Sequence, residues 1–307
     1  MKKSLSRIGF TSILLLCLLI PPSVSFSSST AEVPSYLLEM GDGASQYALL
    51  VDKQSQMLYL YSSTPDGPHL DKQFRCTTGK NNNGAKVREG DKKTPNGVYF
   101  FRSILEDGQL PSKYGVRAFP MDYPNDYDRL DRKTGYGIWL HAVDEDQRVS
   151  NSFDTEGCVV VTNKDIMEIS SYIRLNSTPI IVDDSIIRAP AASLEEGKKE
   201  VLAFIDTWVK SWAGKDLDRY MDCYDERFYG YGRSKEEQRR YKENLNRAYK
   251  KIRIKLSDYQ IFGYHDYIVA SFVQDYRSDR FHSTGRKKLY LTRTENGPKI
   301  LSERINR

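Results

Sequence analysis

Cysteine and histidine are both scarce in this chain, with four of each among 307 residues. An exported domain framed by disulfides uses an even set of cysteines. Here three, Cys76, Cys158 and Cys223, follow the first 25 residues, so at least one thiol is unpaired. Neither His141 nor Cys158 has the close-spaced companions of a zinc centre, so no metal or other cofactor is expected. Long apolar runs are missing too. The longest, "IGFTSILLLCLLI", has 13 residues, short of the roughly 20 that span a bilayer. No fixed-period internal repeat is visible.

That run follows Lys2, Lys3 and Arg7 and precedes Pro21 and Pro22, with Ser23 and Ser25 suiting cleavage between small residues. This is the order of a secretory signal, and residues 1–25 are read as one, directing export to the periplasm or cell envelope. Leu16 before Cys17 argues against lipidation. The remainder is only mildly basic, and an exported protein is not expected to meet nucleic acid. Its charge is uneven: residues 26–184 carry 17 Lys+Arg against 23 Asp+Glu, and residues 185–307 carry 26 against 18. Such a split points to two units with different surfaces.

With 39% hydrophobic and 12% aromatic residues, each unit can bury a core. Residues 26–45 read as a polar leader. Behind them "QYALLVDKQSQMLYLYSS" reads as a β-hairpin, and "GVYFFRSI", "GIWLHAV" and the run Val159–Val161 as further strands. Thr162 with Asp165 suits a capping box opening a helix, and "TPIIVDD" a last strand. This half, residues 46–184, is mostly β. A linker is expected at 185–195, around Pro190. From 196 to 307 the stripe Val201, Ile205, Trp208, Trp212 and a second helix from Ser234, capped by Glu237, precede four period-two segments. Helices followed by antiparallel strands predict an α+β domain whose curved sheet wraps the helices.

Cys158 lies in "SNSFDTEGCVVVTNKD", after Gly157 and before three valines. A buried structural thiol would suit the valines. Gly157, however, lets a backbone approach closely and leaves amides available as oxyanion donors. His141 stands 17 residues earlier, at the end of a strand and across a polar loop long enough to return the chain. A thiol paired with a histidine is a nucleophile for acyl transfer, its pKa lowered to roughly 3.5–7.5.

The stretch "GYGIWLHAVDEDQRVSNSFDTEGCVVVTNKD" resembles the active-site signature of the L,D-transpeptidase (YkuD-type) catalytic domain. "TTGKNNNGAKVREGDKKTPNGVYFF" is similar to that family's glycine-rich segment ending in T-P-x-G, and "DYPNDYD" to its Y-P-N-x-x-D element. The resemblance implies a β-sandwich acting on peptidoglycan stem peptides. Cys158 would attack the L-centre carbonyl of meso-diaminopimelate and expel D-alanine through a thioester. His141 would carry the proton, Ala142 would orient the imidazole through its carbonyl, and the amides of Gly157 and Cys158 would hold the oxyanion. Tyr136, Trp139 and Arg148 are the candidate substrate-binding residues. Many members carry arginine two residues after the cysteine; here Val160 fills that place, so either another basic residue serves, with Arg148, Arg129 and Arg117 as candidates, or the substrate is bound differently.

The second unit resembles the nuclear transport factor 2-like (SnoaL-like) cone, through its Trp-bearing helix, "DLDRYMDCYDERF" and the late strands. It is expected to bind the wall polymer, an envelope protein or a second copy. His265, His282 and Asp222 could contribute to a polar pocket, while Cys76 and Cys223 are expected to be structural. The same pairing of domains is similar to cell-shape L,D-carboxypeptidases. The acyl acceptor stays open: an amine gives a cross-link, water trims tetrapeptides to tripeptides, and a lipoprotein lysine gives anchoring. A non-catalytic wall-binding protein is the rival reading.

Overall fold

A computed structural model describes residues 32–41, 46–82, 84–106 and 108–306. The expected signal at residues 1–25 lies outside them. Four layers are stacked on one another: a small sheet, a central sheet, a C-terminal sheet and a group of helices.

The central sheet runs in the order Gly67–Arg75, Met57–Thr64, Tyr47–Asp52, Pro179–Asp183, Gly97–Phe100. The predicted hairpin is present, Asp52 pairing with Met57 across a turn in which Gln56 takes φ 55°. Pro179–Asp183, last of these strands in chain order, lies in the sheet between Tyr47–Asp52, to which it is parallel, and Gly97–Phe100. Its all-apolar "PIIV" suits an interior place, because both faces are covered. Alternate side chains serve two cores. Leu49, Val51, Tyr99, Phe101, Ile180 and Val182 face the small sheet, whereas Ala48, Leu50, Val98, Phe100 and Ile181 face the C-terminal sheet.

The small sheet has the order Val159–Val160, Trp139–His141, Arg117–Pro120, Leu105–Glu106. Helix Asn163–Ser170 follows it, with Thr162 Oγ1 accepting the Asp165 amide at 3.1 Å. "DYPNDYD" forms the short helix Asp126–Leu130, capped reciprocally by Asn125 and Asp128. Asn125 Nδ2 also donates to the Val98 carbonyl at 3.1 Å, tying this turn to the central sheet.

The predicted four late strands are Ile252–Tyr264, Tyr267–Ser278, His282–Thr292 and Lys299–Asn306, an antiparallel meander. One face packs on helices Ala191–Ala213, Leu217–Asp222 and Lys235–Ala248, around Trp208, Trp212 and Tyr220. Ser234 and Glu237 form the expected capping box. The other face, with Phe262, Tyr267, Val269 and Tyr290, meets the central sheet.

Two readings are corrected here. The polar leader is structural where described: Glu32–Pro34 pairs with Arg188–Pro190, and Leu37–Glu39 adds a fifth strand to the C-terminal sheet against Ile252–Tyr264. Tyr36, Leu37, Leu38 and Met40 are buried, which their spacing among polar residues hid. The linker is likewise a strand followed at once by helix Ala191–Ala213. Among the described residues no helix is long and apolar enough to cross a membrane.

Polar contacts cross the same junction. Val98 donates its amide to Tyr267 Oη at 2.8 Å, Tyr36 Oη donates to Asp183 at 2.7 Å, and His265 Nε2 reaches the same carboxylate at 2.8 Å. With the junction core shared, urea unfolding is expected to be one cooperative transition followed alike by near-UV and far-UV dichroism. Phe262→Ala, emptying a fully buried site, should lower that stability by about 3–5 kcal/mol. Two separated transitions in the parent protein would contradict a shared core.

Candidate active site

Strand Trp139–His141 runs parallel to Val159–Val160, with Leu140 opposite Val159 and His141 opposite Val160. Parallel neighbours need a crossover, supplied by residues 142–158. The two-residue period puts Cys158 and Val160 on one face, beside Trp139 and His141 on the adjoining strand. Cys158 and His141 are therefore brought together, one pleat apart.

His141 is buried, and its Nδ1 donates to the Ala142 carbonyl. A carbonyl can only accept, so the proton sits on Nδ1 and Nε2 keeps its lone pair. The Ala142 carbonyl thus fixes the orientation of the ring. Burial holds the imidazole down to about 4, against the Ala142 bond, with Arg148 and Lys113 adding to the depression. For Cys158, burial pushes the thiol up to about 11, against the Trp139 backbone and the charges of Lys113 and Lys86. The S–H donates to the Gly137 carbonyl at 3.4 Å. Both shifts favour the neutral form, so at pH 7 the pair is thiol and imidazole. The thiolate expected from sequence is not the resting state. Its cause is the floor beneath the sulfur, where Val143, Val149 and Val160 form an apolar cluster against which Cys158 packs.

Gly157 takes φ +131°, and a Cβ there would lie 2.8 Å from the Lys93 carbonyl oxygen. Only glycine fits both constraints. Its amide, expected to be an oxyanion donor, instead donates to Thr155 Oγ1 at 3.0 Å, and that hydroxyl donates to the Cys158 carbonyl at 2.8 Å. Thr155 therefore closes the turn, and the Cys158 N–H, which has no acceptor among the described residues, is the donor left over.

The glycine-rich segments hold this turn from outside. Thr155 N donates to the Thr78 carbonyl at 3.0 Å, Thr77 and Val160 exchange both backbone bonds at 2.9 Å, and Gly79 N donates to Thr94 Oγ1 at 2.8 Å. Gln56 was not anticipated. Its buried side chain accepts from the amides of Thr78 and Phe153, at 3.0 and 3.1 Å, splinting the hairpin to the crossover loop. Its sequence signal was one polar residue inside a hairpin turn.

The other candidates fare differently. Tyr136 is 77% exposed beside Gly137, and Trp139 is half-buried with its ring 4.9 Å from Tyr114, which in turn meets His141 edge-on at 4.9 Å. Arg148 is near enough to act on His141 but bridges Asp144 at 3.0 Å and Asp154 at 3.4 Å. Arg117 pairs with Glu106 at 2.6 Å; its neighbour Ala118 lies opposite His141, so Arg117 projects from the other face. Arg129 belongs to the domain junction, against Asp126 at 3.0 Å.

In the C-terminal cone, a cavity of about 490 Å³ opens between Trp212, Tyr241, Lys242, Tyr276 and Lys287. Lys242 Nζ sits 3.4 Å from the Trp212 ring centroid, and Lys287 pairs with buried Glu303. Three buried atoms on its wall, Trp212 Nε1, Gln274 Oε1 and Tyr276 Oη, have no hydrogen-bond partner among the described residues. His265, His282 and Asp222 do not line it: His265 lies at the junction and His282 pairs with Asp275 at 2.7 Å. Cys76 and Cys223 are buried free thiols.

Residues 46–182 match the model of the L,D-transpeptidase catalytic domain, YkuD, and residues 200–304 that of the Cds6 C-terminal NTF2-like domain. The solved structure of Bd1075 from Bdellovibrio bacteriovorus is 30% identical, covers 90% of this chain and 98% of that one, and superposes with a TM-score of 0.78. The chain belongs to the YkuD L,D-transpeptidase family. The helical cell shape determining protein Pgp2 of Campylobacter jejuni is similar throughout, at 27% identity, 90% and 97% coverage and a TM-score of 0.71. YafK of Escherichia coli (strain K12), named provisionally as an L,D-transpeptidase, is 27% identical over 166 residues. That match spans 52% of this chain and 62% of YafK.

The neutral pair has a measurable signature. Thiolate reacts with iodoacetamide, so the rate at Cys158 should climb about tenfold per pH unit from pH 6 to 10 without levelling. A plateau reached by pH 7, followed by mass spectrometry of the Cys158 peptide, would mean an ion pair instead.

Proposed function

We propose that this protein is an envelope acyl-transfer enzyme that cleaves the meso-diaminopimelate–D-alanine bond of peptidoglycan tetrapeptide stems through a thioester on Cys158. The observation carrying this reading is the pairing of Cys158 with an imidazole whose Nε2 is left basic by the Ala142 carbonyl.

Cys158 Sγ attacks the L-centre carbonyl while its proton passes to His141 Nε2. The carbonyl oxygen becomes an oxyanion facing the Cys158 N–H, one such donor contributing on the order of 3 kcal/mol. Collapse breaks the C–N bond, His141 returns the proton to the departing nitrogen, and D-alanine leaves. Because thiol and imidazole both start neutral, charge appears only as the bond forms, inside the site that stabilises it. His141, depressed to about 4, remains a base well below the pH at which an ordinary imidazole would be protonated.

The second step decides between transpeptidase, with an amine acceptor, and L,D-carboxypeptidase, with water. Burial of Val160, in place of an arginine fork, favours the carboxypeptidase as second reading. In either, the cone cavity, cationic, aromatic and edged with unsatisfied polar atoms, suits a wall fragment and would hold the enzyme on its polymer.

The test is incubation of the mature protein with disaccharide-tetrapeptide, with and without an amine acceptor, read by mass. Tripeptide or a 3-3 dimer is expected, and Cys158→Ala should lose roughly 10³-fold or more. Absence of both products sinks the catalytic reading and leaves a wall-binding protein; full activity in Cys158→Ala removes the nucleophile. Lowering the pH should leave acylation intact until about pH 4, where protonation of His141 removes the base.

A further inference from the structure

With Val160 buried, the site must find its cation elsewhere, and most of those near it are committed. Lys86 is buried and holds Asp91 at 2.6 Å and the Arg88 carbonyl at 3.1 Å. Arg148 bridges its two aspartates, and Lys80 and Lys92 both reach Glu156, at 3.1 and 3.4 Å. Lys113 differs. It is exposed, has no carboxylate or carbonyl partner among the described residues, and rests with Nζ 5.0 Å from the Tyr114 ring centroid.

Its position is tightly held. Lys113 belongs to the single turn Ser112–Tyr114, closed by Gly115 at φ +63°. A Cβ on Gly115 would lie 2.5 Å from the Ala142 Cβ and 2.6 Å from the Val143 amide, so this turn is pressed against the segment that orients His141. Asn163 locks it there, accepting from the Val116 amide at 3.0 Å and donating to the Val143 carbonyl at 2.6 Å. The Tyr114 ring, edge-on to His141, spans the space between the imidazole and the ammonium. The Lys113 charge accordingly acts on both Cys158 and His141.

His141 must protonate the departing amine, so the leaving residue lies on the imidazole side of the scissile bond. Its carboxylate hangs from the same Cα as the departing nitrogen, within about 4 Å of the scissile carbonyl, in the direction of Tyr114 and the free ammonium. We infer that Lys113 receives the terminal carboxylate of the leaving D-alanine and selects stems that end in a free acid. The inference rests on the acyl-transfer reading above. A single ammonium accepts varied approach angles, unlike the planar fork of arginine.

The experiment compares kcat/KM for a tetrapeptide ending in D-alanine, the same peptide ending in D-alaninamide, and one amidated on the diaminopimelate side-chain carboxyl. The parent enzyme should prefer the free acid over the alaninamide by roughly 10- to 100-fold, as expected of a hydrogen bond between charged groups. Lys113→Met should abolish that preference, chiefly through KM, and a near-UV dichroism spectrum matching the parent's shows that it folds. Lys113→Arg should restore part of the preference. Undiminished selectivity in Lys113→Met overturns the assignment. So does an equal fall on all three peptides, or a change confined to the side-chain amide. No D-alanine release by the parent enzyme would instead overturn the acyl-transfer reading beneath it.

Discussion

The central sheet is buried on both faces, and everything else is arranged around that constraint. Its alternating side chains are divided between a core shared with the small sheet and a core shared with the C-terminal sheet. Neither domain can be removed without exposing half of that pattern to water. The N-terminal strand Leu37–Glu39 reinforces the union, since residues that precede the catalytic domain in sequence complete the sheet of the accessory domain. A domain tied down in this way presents its cone cavity in a fixed relation to Cys158.

The small sheet, relieved of holding the domains together, carries Cys158 and His141. Its parallel pair needs a crossover, and the crossover loop, splinted by Gln56, Thr77 and Thr78, delivers the cysteine to the strand edge. Of the valines that follow, Val160 joins Val143 and Val149 as the apolar floor. That floor raises the thiol pKa and lowers that of the imidazole, so the same burial that fixes the geometry keeps the resting pair uncharged. A thiol held neutral in this way is a poor nucleophile and slow to oxidise.

Departures from the commoner family pattern have local causes. Val160 faces Val143 and Val149, so a guanidinium there would lose its solvation without gaining a partner. Ala142 is tolerated because only its carbonyl is used and its Cβ fits against Gly115, which must then lack one.

By itself the sequence determined the family, the two domains and most elements: Cys158 and His141 at their spacing, the Ser234 capping box and the four late strands are all local patterns. It misread Tyr36, Leu37, Leu38 and Met40, because strand pairing over 200 residues leaves no periodic trace in ten. It offered Arg148, Arg129 and Arg117, all of which are paired, and the amides of Gly157 and Cys158, of which the first is bonded to Thr155. Which arginine is already paired, which N–H is already bonded and whether a thiol is solvated depend on groups distant in sequence, and only the tertiary structure decided them. Hydrogen bonds and desolvation act between neighbours in space, whereas residue spacing records neighbours along the chain.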